Sequence, residues 1–318
     1  MFKKMDIRDI PGFQIGSAEY EDAATGCTVI ICRDGAVTGL DVRGGAPASR
    51  ESALLNPLAA NESVNAVLLS GGSAFGLSAA DGVMTYLEER NIGFPTEYGK
   101  VPIVCASCLF DLGVGRNDVR PDAALGRLAC QNSETNQFRE GSYGAGTGAS
   151  VGKIRGPLSS MKSGLGIYAV QCGDLMVGAI AAVNAVGDIY DYRTGRKLAG
   201  CYDPKTREFI DSEEAYFGLM QPDLFNRNTT ICAVITNAEM TKAHASKAAS
   251  MAHDGMARTI RPVHTTFDGD SIYVMAHGSV KADVNAVGIL ASYAVAEAIM
   301  RAARPQGNTY GLNGGADF

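Results

Sequence analysis

Short apolar runs bounded by glycine and charged residues recur through the first two thirds of the chain. Residues 25–45, TGCTVIICRDGAVTGLDVRGG, hold two such runs on either side of Asp34-Gly35, a dipeptide typical of hairpin turns. Residues 166–191, GIYAVQCGDLMVGAIAAVNAVGDIYD, hold two more around Gly173-Asp174. The pattern therefore predicts a β-hairpin in each segment.

A strand-to-helix corner is predicted between these two hairpins. The apolar run at residues 67–69 ends at Gly71-Gly72, and apolar residues at helical spacing then follow until Asn91 and Gly93. Two adjacent glycines let the backbone come close to another group, so this corner either lines a pocket or is simply a tight turn.

Helical patterns return in the last third. Residues 238–262 are alanine-rich and predict a helix that ends before Pro262, and residues 283–303 predict a final helix that begins at Asp283. Between them, residues 263–278 predict a hairpin about Asp268-Gly269. This order of hairpins, a helix, further strands and further helices indicates an α+β domain in which helices cover layered sheets.

A hydroxyl stands at the mouth of one predicted core strand. In residues 224–240, LFNRNTTICAVITNAEM, a polar stretch ends at Asn228, and Thr229 and Thr230 precede the apolar run. Residues 201–228 before this strand are polar and charged, which predicts an exposed, partly irregular connection. Because Thr is common in strands and Asn in turns, the Asn-Thr pair by itself indicates no more than a strand start.

Composition narrows the function. The 318 residues are 46% hydrophobic and 19% charged, which is ordinary for a globular protein with a sizeable core. With 28 Lys+Arg against 34 Asp+Glu the net charge is −6, and no basic run is present, so neither nucleic acid nor a membrane surface is an expected partner. Nowhere do 18 uncharged apolar residues follow one another. We expect a cytoplasmic protein.

Cysteine and glycine motifs predict no metal site and no cofactor. Cys105 and Cys108 form a C-x-x-C without a second pair at zinc-site spacing, so we interpret them as core residues. The glycine-rich residues 141–156, GSYGAGTGASVGKIRG, fail as a phosphate loop because Thr147 stands where the first glycine is required and Ile154 follows Lys153. No apolar strand precedes this segment, which argues against a dinucleotide-binding fold.

Thr229 would become a nucleophile if the peptide bond before it were cut. Its hydroxyl can attack the carbonyl carbon of Asn228 in an N-to-O acyl shift, and hydrolysis of the resulting ester leaves Thr229 as a new N-terminus. A free α-amine titrates near 7.7–8.0, so at neutral pH it can accept the hydroxyl proton, which an amide nitrogen cannot do. Thr229 would then carry its own base.

The Asp268-Gly269-Asp270 sequence supplies two carboxylates. At positions i and i+2 they would lie on one side of an extended chain, where they could hold the amine of the nucleophile and tune its proton affinity. Asp-Gly is also a turn signal, and both roles can hold together.

Several motifs in one order resemble a known family. The stretch that begins NTTICAVITNAEM and ends FDGDSIYVMA, with LLSGGSAFGL, GAGTGASVGK and VNAVGD upstream, is similar to the self-processing amide hydrolases. That family includes the L-aminopeptidase/D-esterases, the β-peptidyl aminopeptidases and the nylon-oligomer hydrolase, and the resemblance covers nearly the whole chain. It implies a four-layer αββα sandwich, similar to N-terminal-nucleophile hydrolases but with different strand connections. It also implies one domain, residues 1–318, cut into 1–228 and 229–318, and a homo-oligomer, specifically a tetramer.

The resemblance also implies site residues. Thr229 matches the nucleophile and Asn228-Thr229 the cleavage point, as in the nylon-oligomer hydrolase, where most peptidase members have Ser. Asp268 and Asp270 match the acidic pair of that branch. Two polar pocket residues of the family fall at Lys153 and Asn184, with Asn184 donating its amide to the oxyanion, and a pocket tyrosine falls at Phe110, which lacks the hydroxyl.

Three functions follow from these observations. The first is an amide hydrolase or aminopeptidase for short peptides or related small amides, with a Thr nucleophile and no cofactor. The second is an acyltransferase of the ornithine acetyltransferase type, also cut before a Thr; the glycine-rich and DGD motifs favour the hydrolases. The third is a non-enzymatic binding protein in which NTT only begins a strand. The substrate and its stereochemistry cannot be predicted from the sequence.

Overall fold

The fold is seen in a computed structural model that describes residues 2–219, 228–305, 307 and 309–315. Its strands within these ranges are β1 (Lys3–Met5), β2 (Gln14–Tyr20), β3 (Thr25–Val42), β4 (Ala48–Arg50), β5 (Val64–Ser70), β6 (Phe94–Thr96), β7 (Gly99–Val101), β8 (Val104–Cys108), β9 (Ser150–Val151), β10 (Met161–Lys162), β11 (Leu165–Cys172), β12 (Leu175–Asn184), β13 (Asp188–Tyr190), β14 (Lys197–Ala199), β15 (Thr229–Ala238), β16 (Ile260–Arg261) and β17 (Ser271–Val280). The α-helices are α1 (Ala79–Glu88), α2 (Ala123–Ser133), α3 (Ser212–Gly218), α4 (Lys242–Thr259) and α5 (Val284–Ala302).

Two sheets share the long strand β3. The order β1-β11-β12-β15-β17-β3 forms the first sheet, and β3 continues into β5, β8 and β4, with β2 also paired to β3. Residues 27–31 of β3 pair with β5, whereas residues 37–42 pair with β17. The hairpin predicted about Asp34-Gly35 is therefore wrong: the two apolar runs have different partners, and the register shift at this point bends one strand from sheet to sheet.

Four layers result from the way these sheets are covered. Side chains of α4 and α5, such as Met256 and Val295, pack on the outer face of the first sheet. Residues of both sheets, including Ile30 and Ile231, fill the core between them, and α1 and α2 cover the second sheet with side chains such as Leu125. The predicted αββα sandwich is confirmed.

Elements with strong local signals lie where they were predicted. The hairpin about Gly173-Asp174 joins β11 to β12, and the corner at Gly71-Gly72 leads through a short 3-10 helix into α1. Thr241 caps α4, and the Asp283 carboxylate caps α5 by accepting from the main-chain N–H of Asn285. Helix α5 has the length and apolar composition of a membrane span, and 67% of its most apolar 18-residue window is buried inside this fold, as in a core helix.

One other expectation fails in the last third. No strand partner precedes Asp268-Gly269 to make a hairpin, because β17 instead pairs in parallel with β15 and the short β16 pairs with β13.

The connection before β15 was expected to be exposed and partly irregular. Its described part is mostly exposed and contains the short helix α3, capped by Asp211. The remainder of that connection, residues 220–227, lies outside the described residues.

Candidate active site

Sheet topology brings three strand ends to one edge. Thr229 begins β15, and its direct partner in the antiparallel strand is Asn184, the last residue of β12. Because β17 runs parallel to β15, the Asp268–Asp270 segment that precedes β17 lies at the same edge, where Asn228 and Asp268 form a bridge. The nucleophile, the amide and the acidic pair predicted from sequence are therefore neighbours.

The carbonyl group of Asn228 has two donors beside it. The buried Thr229 hydroxyl donates to the Asn228 oxygen, and the main-chain N–H of Gly269 donates to the same oxygen at 3.1 Å. A Cβ on residue 269 would lie 2.9 Å from the Thr229 Oγ1, so glycine leaves the room that this hydroxyl occupies. The hydroxyl is already in contact with the carbonyl group that it would attack, and a fixed donor polarises that carbonyl.

The two carboxylates have different partners. Asp268 Oδ2 accepts from the Thr265 main-chain N–H at 3.0 Å and hydroxyl at 2.6 Å, whereas its buried Oδ1 has no hydrogen-bond partner among the described residues. Asp270 Oδ1 accepts from the Thr230 N–H at 2.7 Å. Burial, reinforced by the charge of Asp270, raises the pKa of Asp268 to about 7. Asp268 can therefore gain or lose a proton near neutral pH.

Lys153 and Asn184 form a second polar group at this edge. Lys153 Nζ donates to the main-chain oxygen of Asn184 at 2.9 Å and to its Oδ1 at 2.6 Å, and the Ser150 N–H also donates to Oδ1. These donors fix the amide so that Nδ2 points the other way, toward the Phe110 carbonyl oxygen at 2.8 Å. Burial lowers the pKa of Lys153 to about 7, and the charges of Asp268 and Asp111 oppose this effect.

Asp111 was not predicted from sequence. Its carboxylate accepts from the Thr25 hydroxyl and the Gly72 N–H, both at 2.7 Å, and burial raises its pKa to about 6. A Cβ on Gly71 would lie 2.1 Å from this carboxylate, and Gly72 has a φ of +80°, so each glycine of the corner has its own reason. Asp111 thus connects the strand-to-helix corner to Phe110, whose carbonyl oxygen orients Asn184. In the sequence, the paired glycines were the signal that a side chain packs against this corner.

A glycine-rich turn behind the acidic pair was also missed. The Arg43 N–H donates to the Asp270 carbonyl oxygen at 3.0 Å, and the Ala46 N–H donates to that of Asp268 at 2.9 Å. A Cβ on Gly44 would lie 2.3 Å from the Asp268 carbonyl oxygen. The RGGA sequence that follows β3 is therefore hydrogen-bonded to the loop that carries both carboxylates and fixes its position.

The glycine-rich segment after residue 141 surrounds a buried lysine. Lys162 Nζ donates to the carbonyl oxygens of Gly146 at 3.1 Å and Ala149 at 3.0 Å, and also to that of Ser163. A phosphate loop presents N–H groups to an anion, whereas the Gly146 and Ala149 carbonyls of this segment face a lysine side chain. The segment thereby holds Ser150, which donates to Asn184, in place.

Two cavities meet at Asn228 and Phe110. One, of about 400 Å³, includes Thr229 and is lined by small residues such as Ala46, Ala48, Ser73 and Ala74. The other, of about 1020 Å³, includes Lys153 and Asp111. Ser73 and Ala74 follow the Gly71-Gly72 corner, so the prediction that this corner could line a pocket is confirmed.

Metal-ligating side chains do not converge in the described part of the chain. No group of three or more His, Cys, Asp or Glu side chains there is arranged to hold a metal ion. Cys105 and Cys108 are buried in β8, where residues three apart point to opposite faces, as expected of core residues.

The model of peptidase family S58 matches residues 6–314 of the chain. The chain belongs to this family. An uncharacterized aminopeptidase of Mycobacterium leprae is 38% identical to this S58 peptidase over 304 residues, covering 88% of this chain and 80% of the relative. A 6-aminohexanoate-oligomer endohydrolase of Kocuria sp. is 32% identical over 313 residues, covering 93% of this chain and 85% of the relative. The S58 peptidase is therefore a hydrolase of amide or peptide bonds.

Solved structures share the fold of the S58 peptidase. A Burkholderia sp. β-aminopeptidase superposes with a TM-score of 0.71 at 18% identity, over 99% of this chain and 92% of that structure. The L-aminopeptidase D-Ala-esterase/amidase of Ochrobactrum anthropi, described as a variant of the N-terminal-nucleophile hydrolase fold, gives 0.67 at 15% identity, over 96% and 88%. The predicted relation to N-terminal-nucleophile hydrolases is confirmed for the fold.

A pH profile tests the coupling between the acidic pair and the α-amine that Thr229 would gain on cleavage. That amine accepts the hydroxyl proton only when it is neutral, so activity falls as the pH drops through the pKa of the amine, which the charges of Asp268 and Asp270 raise. In Asp270→Asn one of these charges disappears, the pKa of the amine falls, and the acid limb of kcat should move to lower pH, with a lower maximum. The exposed Asp254 on α4 supplies the control Asp254→Asn, which should leave the limb in place. If the acid limb of kcat in Asp270→Asn stays in place or moves to higher pH, the coupling is contradicted.

Proposed function

We propose that this S58 peptidase cuts itself between Asn228 and Thr229 and then hydrolyses short peptides or related small amides with Thr229 as its N-terminal nucleophile. The products of the cut are residues 1–228 and 229–318. One observation carries the proposal: the Thr229 hydroxyl touches the Asn228 carbonyl, which also accepts the Gly269 N–H. Family membership supports the hydrolysis of amides, and this geometry supports the self-cleavage.

In the self-cleavage step Thr229 Oγ1 attacks the carbonyl carbon of Asn228. The hydroxyl proton passes to a base, for which Asp268, in the segment bridged to Asn228, is suited by a pKa near 7. The negative charge that develops on the carbonyl oxygen is stabilised by the Gly269 N–H. The peptide nitrogen takes a proton as the C–N bond breaks, and water hydrolyses the ester to leave the Asn228 carboxylate and the Thr229 amine.

In the mature enzyme the new α-amine accepts the proton of its own hydroxyl. Thr229 Oγ1 attacks the substrate carbonyl, Asn184 donates to the oxyanion, and the amine product leaves after it has gained a proton. Water then hydrolyses the acyl-enzyme ester, with the α-amine again accepting the proton. Asp268 and Asp270 lie beside this strand end, where their charges favour the protonated amine.

Cleavage would also change the site around Thr229. Asn228 lines both cavities, so it stands between the small space beside Thr229 and the larger space beside Lys153. Release of the Asn228 end opens this boundary and exposes the nucleophile to substrate. Cavities of these sizes suit substrates of small-molecule dimensions rather than folded protein chains.

A substrate panel tests the proposed function. The cleaved protein should hydrolyse aminoacyl-p-nitroanilides and small amides or esters, and leave denatured casein intact. Rapid digestion of casein would contradict the short-substrate proposal. Incubation with N-acetylornithine and glutamate provides the comparison with acyl transfer: acetylglutamate formed faster than free acetate would assign the acyltransferase function instead.

A further inference from the structure

We infer that His264 is a positioning residue that holds the Asp270 carboxylate, and through it the start of β15, in the geometry that Thr229 needs. The inference rests on the proposed function, because it assigns a supporting residue to the same site. The evidence is a series of contacts that leads from His253 on helix α4 through His264 and Asp270 to the main-chain N–H of Thr230.

His264 makes two hydrogen bonds to the Asp270 carboxylate. Its main-chain N–H lies 3.1 Å and its ring Nδ1 2.8 Å from Asp270 Oδ2. Asp270 Oδ1 accepts from the Thr230 N–H at 2.7 Å, so one oxygen of the carboxylate faces the histidine and the other faces β15. Because an ionised carboxylate only accepts hydrogen bonds, Nδ1 carries a hydrogen and donates it to Oδ2 when Asp270 is ionised. Asp270 therefore links His264 to the residue that follows the nucleophile.

The backbone of His264 is specialised for this contact. Its φ is +57°, in the left-handed region that residues with a Cβ rarely adopt and in which Asn, Asp and His are enriched. This conformation lets one residue present its main-chain N–H and its ring nitrogen to the same oxygen. A non-glycine residue with positive φ beside a site indicates a conformation that the surrounding contacts maintain.

A second histidine, His253, packs against the His264 imidazole. The rings of His253 and His264 meet edge to face with centroids 4.8 Å apart. His253, fully buried on α4, has its Nε2 3.0 Å from the Asp41 carbonyl oxygen, and burial lowers its pKa to about 4, so it is neutral and donates through Nε2. The His264 Nε2 is buried and has no partner among the described residues. The ring is thus fixed by packing and by its one bond to Asp270.

His264 does not touch the space a substrate would use. It is absent from the described residues that line either cavity beside Asn228. Its effect on the reaction must therefore pass through Asp270. Loss of the imidazole should change kcat and leave KM unchanged, and a side chain that restores the donor should restore kcat.

Three substitutions at position 264 separate the backbone from the hydrogen bond. His264→Gly keeps the positive φ but removes the ring; His264→Asn tolerates the same φ and can place an amide N–H near Asp270 Oδ2; His264→Asp matches Asn in size but places a carboxylate against Asp270. We expect His264→Gly to lower kcat by roughly 10- to 100-fold, the range produced by small displacements of catalytic groups. His264→Asn should recover most of this loss, and His264→Asp should be at least as impaired as His264→Gly.

The kinetics are measured on full-length protein and referred to the molecules that begin at Thr229, counted by N-terminal sequencing. His244→Ala, which removes an exposed imidazole from α4, should match wild type. Wild-type kcat in His264→Gly, or equal kcat in His264→Asn and His264→Asp, would overturn the role of His264. If His264→Gly does not fold, the isosteric Asn and Asp pair decides the question alone. An uncut or inactive wild type would instead overturn the proposed function.

Discussion

Thr229→Ala is expected to give a single uncut chain without amidase activity. Self-cleavage and substrate hydrolysis both begin with the Thr229 hydroxyl, which is the group in contact with the Asn228 carbonyl. Its removal leaves the Gly269 N–H on that carbonyl but no nucleophile to attack it. A denaturing gel should show one band of the full 318 residues, whereas wild type should show two, the smaller beginning Thr-Thr-Ile-Cys by Edman sequencing. The two wild-type fragments should stay together, because β15 is central to the first sheet.

Two neighbouring variants control this result. Thr229→Ser keeps a hydroxyl at the same place and should retain part of both cleavage and activity. Thr230→Ala should be cut, because alternation along β15 turns Thr230 away from Thr229, to the face that packs against α4 and α5. Its smaller fragment should begin Thr-Ala-Ile-Cys. If Thr229→Ala still yields a fragment that begins at position 229, or if active wild type is a single uncut chain, the self-processing mechanism is wrong.

Asn184→Ala is expected to reduce kcat by about 10²–10³-fold while the chain is still cut. A side-chain amide that donates to a developing oxyanion contributes an effect of this size, and contacts with Lys153, Ser150 and Phe110 hold the Asn184 amide in place. Self-cleavage should persist because the Gly269 N–H, not Asn184, bonds the Asn228 carbonyl oxygen. The measurement is kcat on a small p-nitroanilide, referred to the cleaved fraction on a gel.

Asn237 supplies a matched control at the far end of β15. Its side chain is buried in the same sheet, accepting from the Met176 N–H at 2.8 Å and donating to the Asp174 carbonyl oxygen at 2.9 Å. Asn237→Ala should lower thermal stability, because those groups lose their partner, and leave kcat unchanged. Equal kcat losses in both variants would show that Asn184 only stabilises the fold.

Local sequence determined those elements whose signals lie within a few residues. The Gly173-Asp174 turn joins β11 and β12 directly, so one turn fixes the register of both strands. Thr241 and Asp283 begin α4 and α5 because a capping side chain bonds N–H groups only two or three residues away. The apolar run after Thr230 likewise predicted a buried strand, and in β15 the alternation of side chains places Ile231 and Ile235 on one face.

The order of several motifs, rather than any spacing, indicated the candidate site. The resemblance placed Thr229, Asp268, Asp270, Asn184 and Lys153 in one site, and the structure brings these five residues to the same edge of the first sheet. Their catalytic roles stay predictions, which the variants above test. Phe110, placed where the family has a pocket tyrosine, contributes its main-chain oxygen to Asn184.

Tertiary structure alone decided the contacts that depend on distant strands. Asp34-Gly35 has the residues of a hairpin turn, yet β3 continues through it because its halves find partners in β5 and β17, and those partners lie outside any local window. The donation from Gly269 to the Asn228 oxygen exists because β17 lies parallel to β15, which turns the start of one strand toward the start of the other. Every residue except proline has the same main-chain N–H, so the residue type does not reveal which N–H will donate in a site. That depends on where the residue lies, which the packing of the sheet determines.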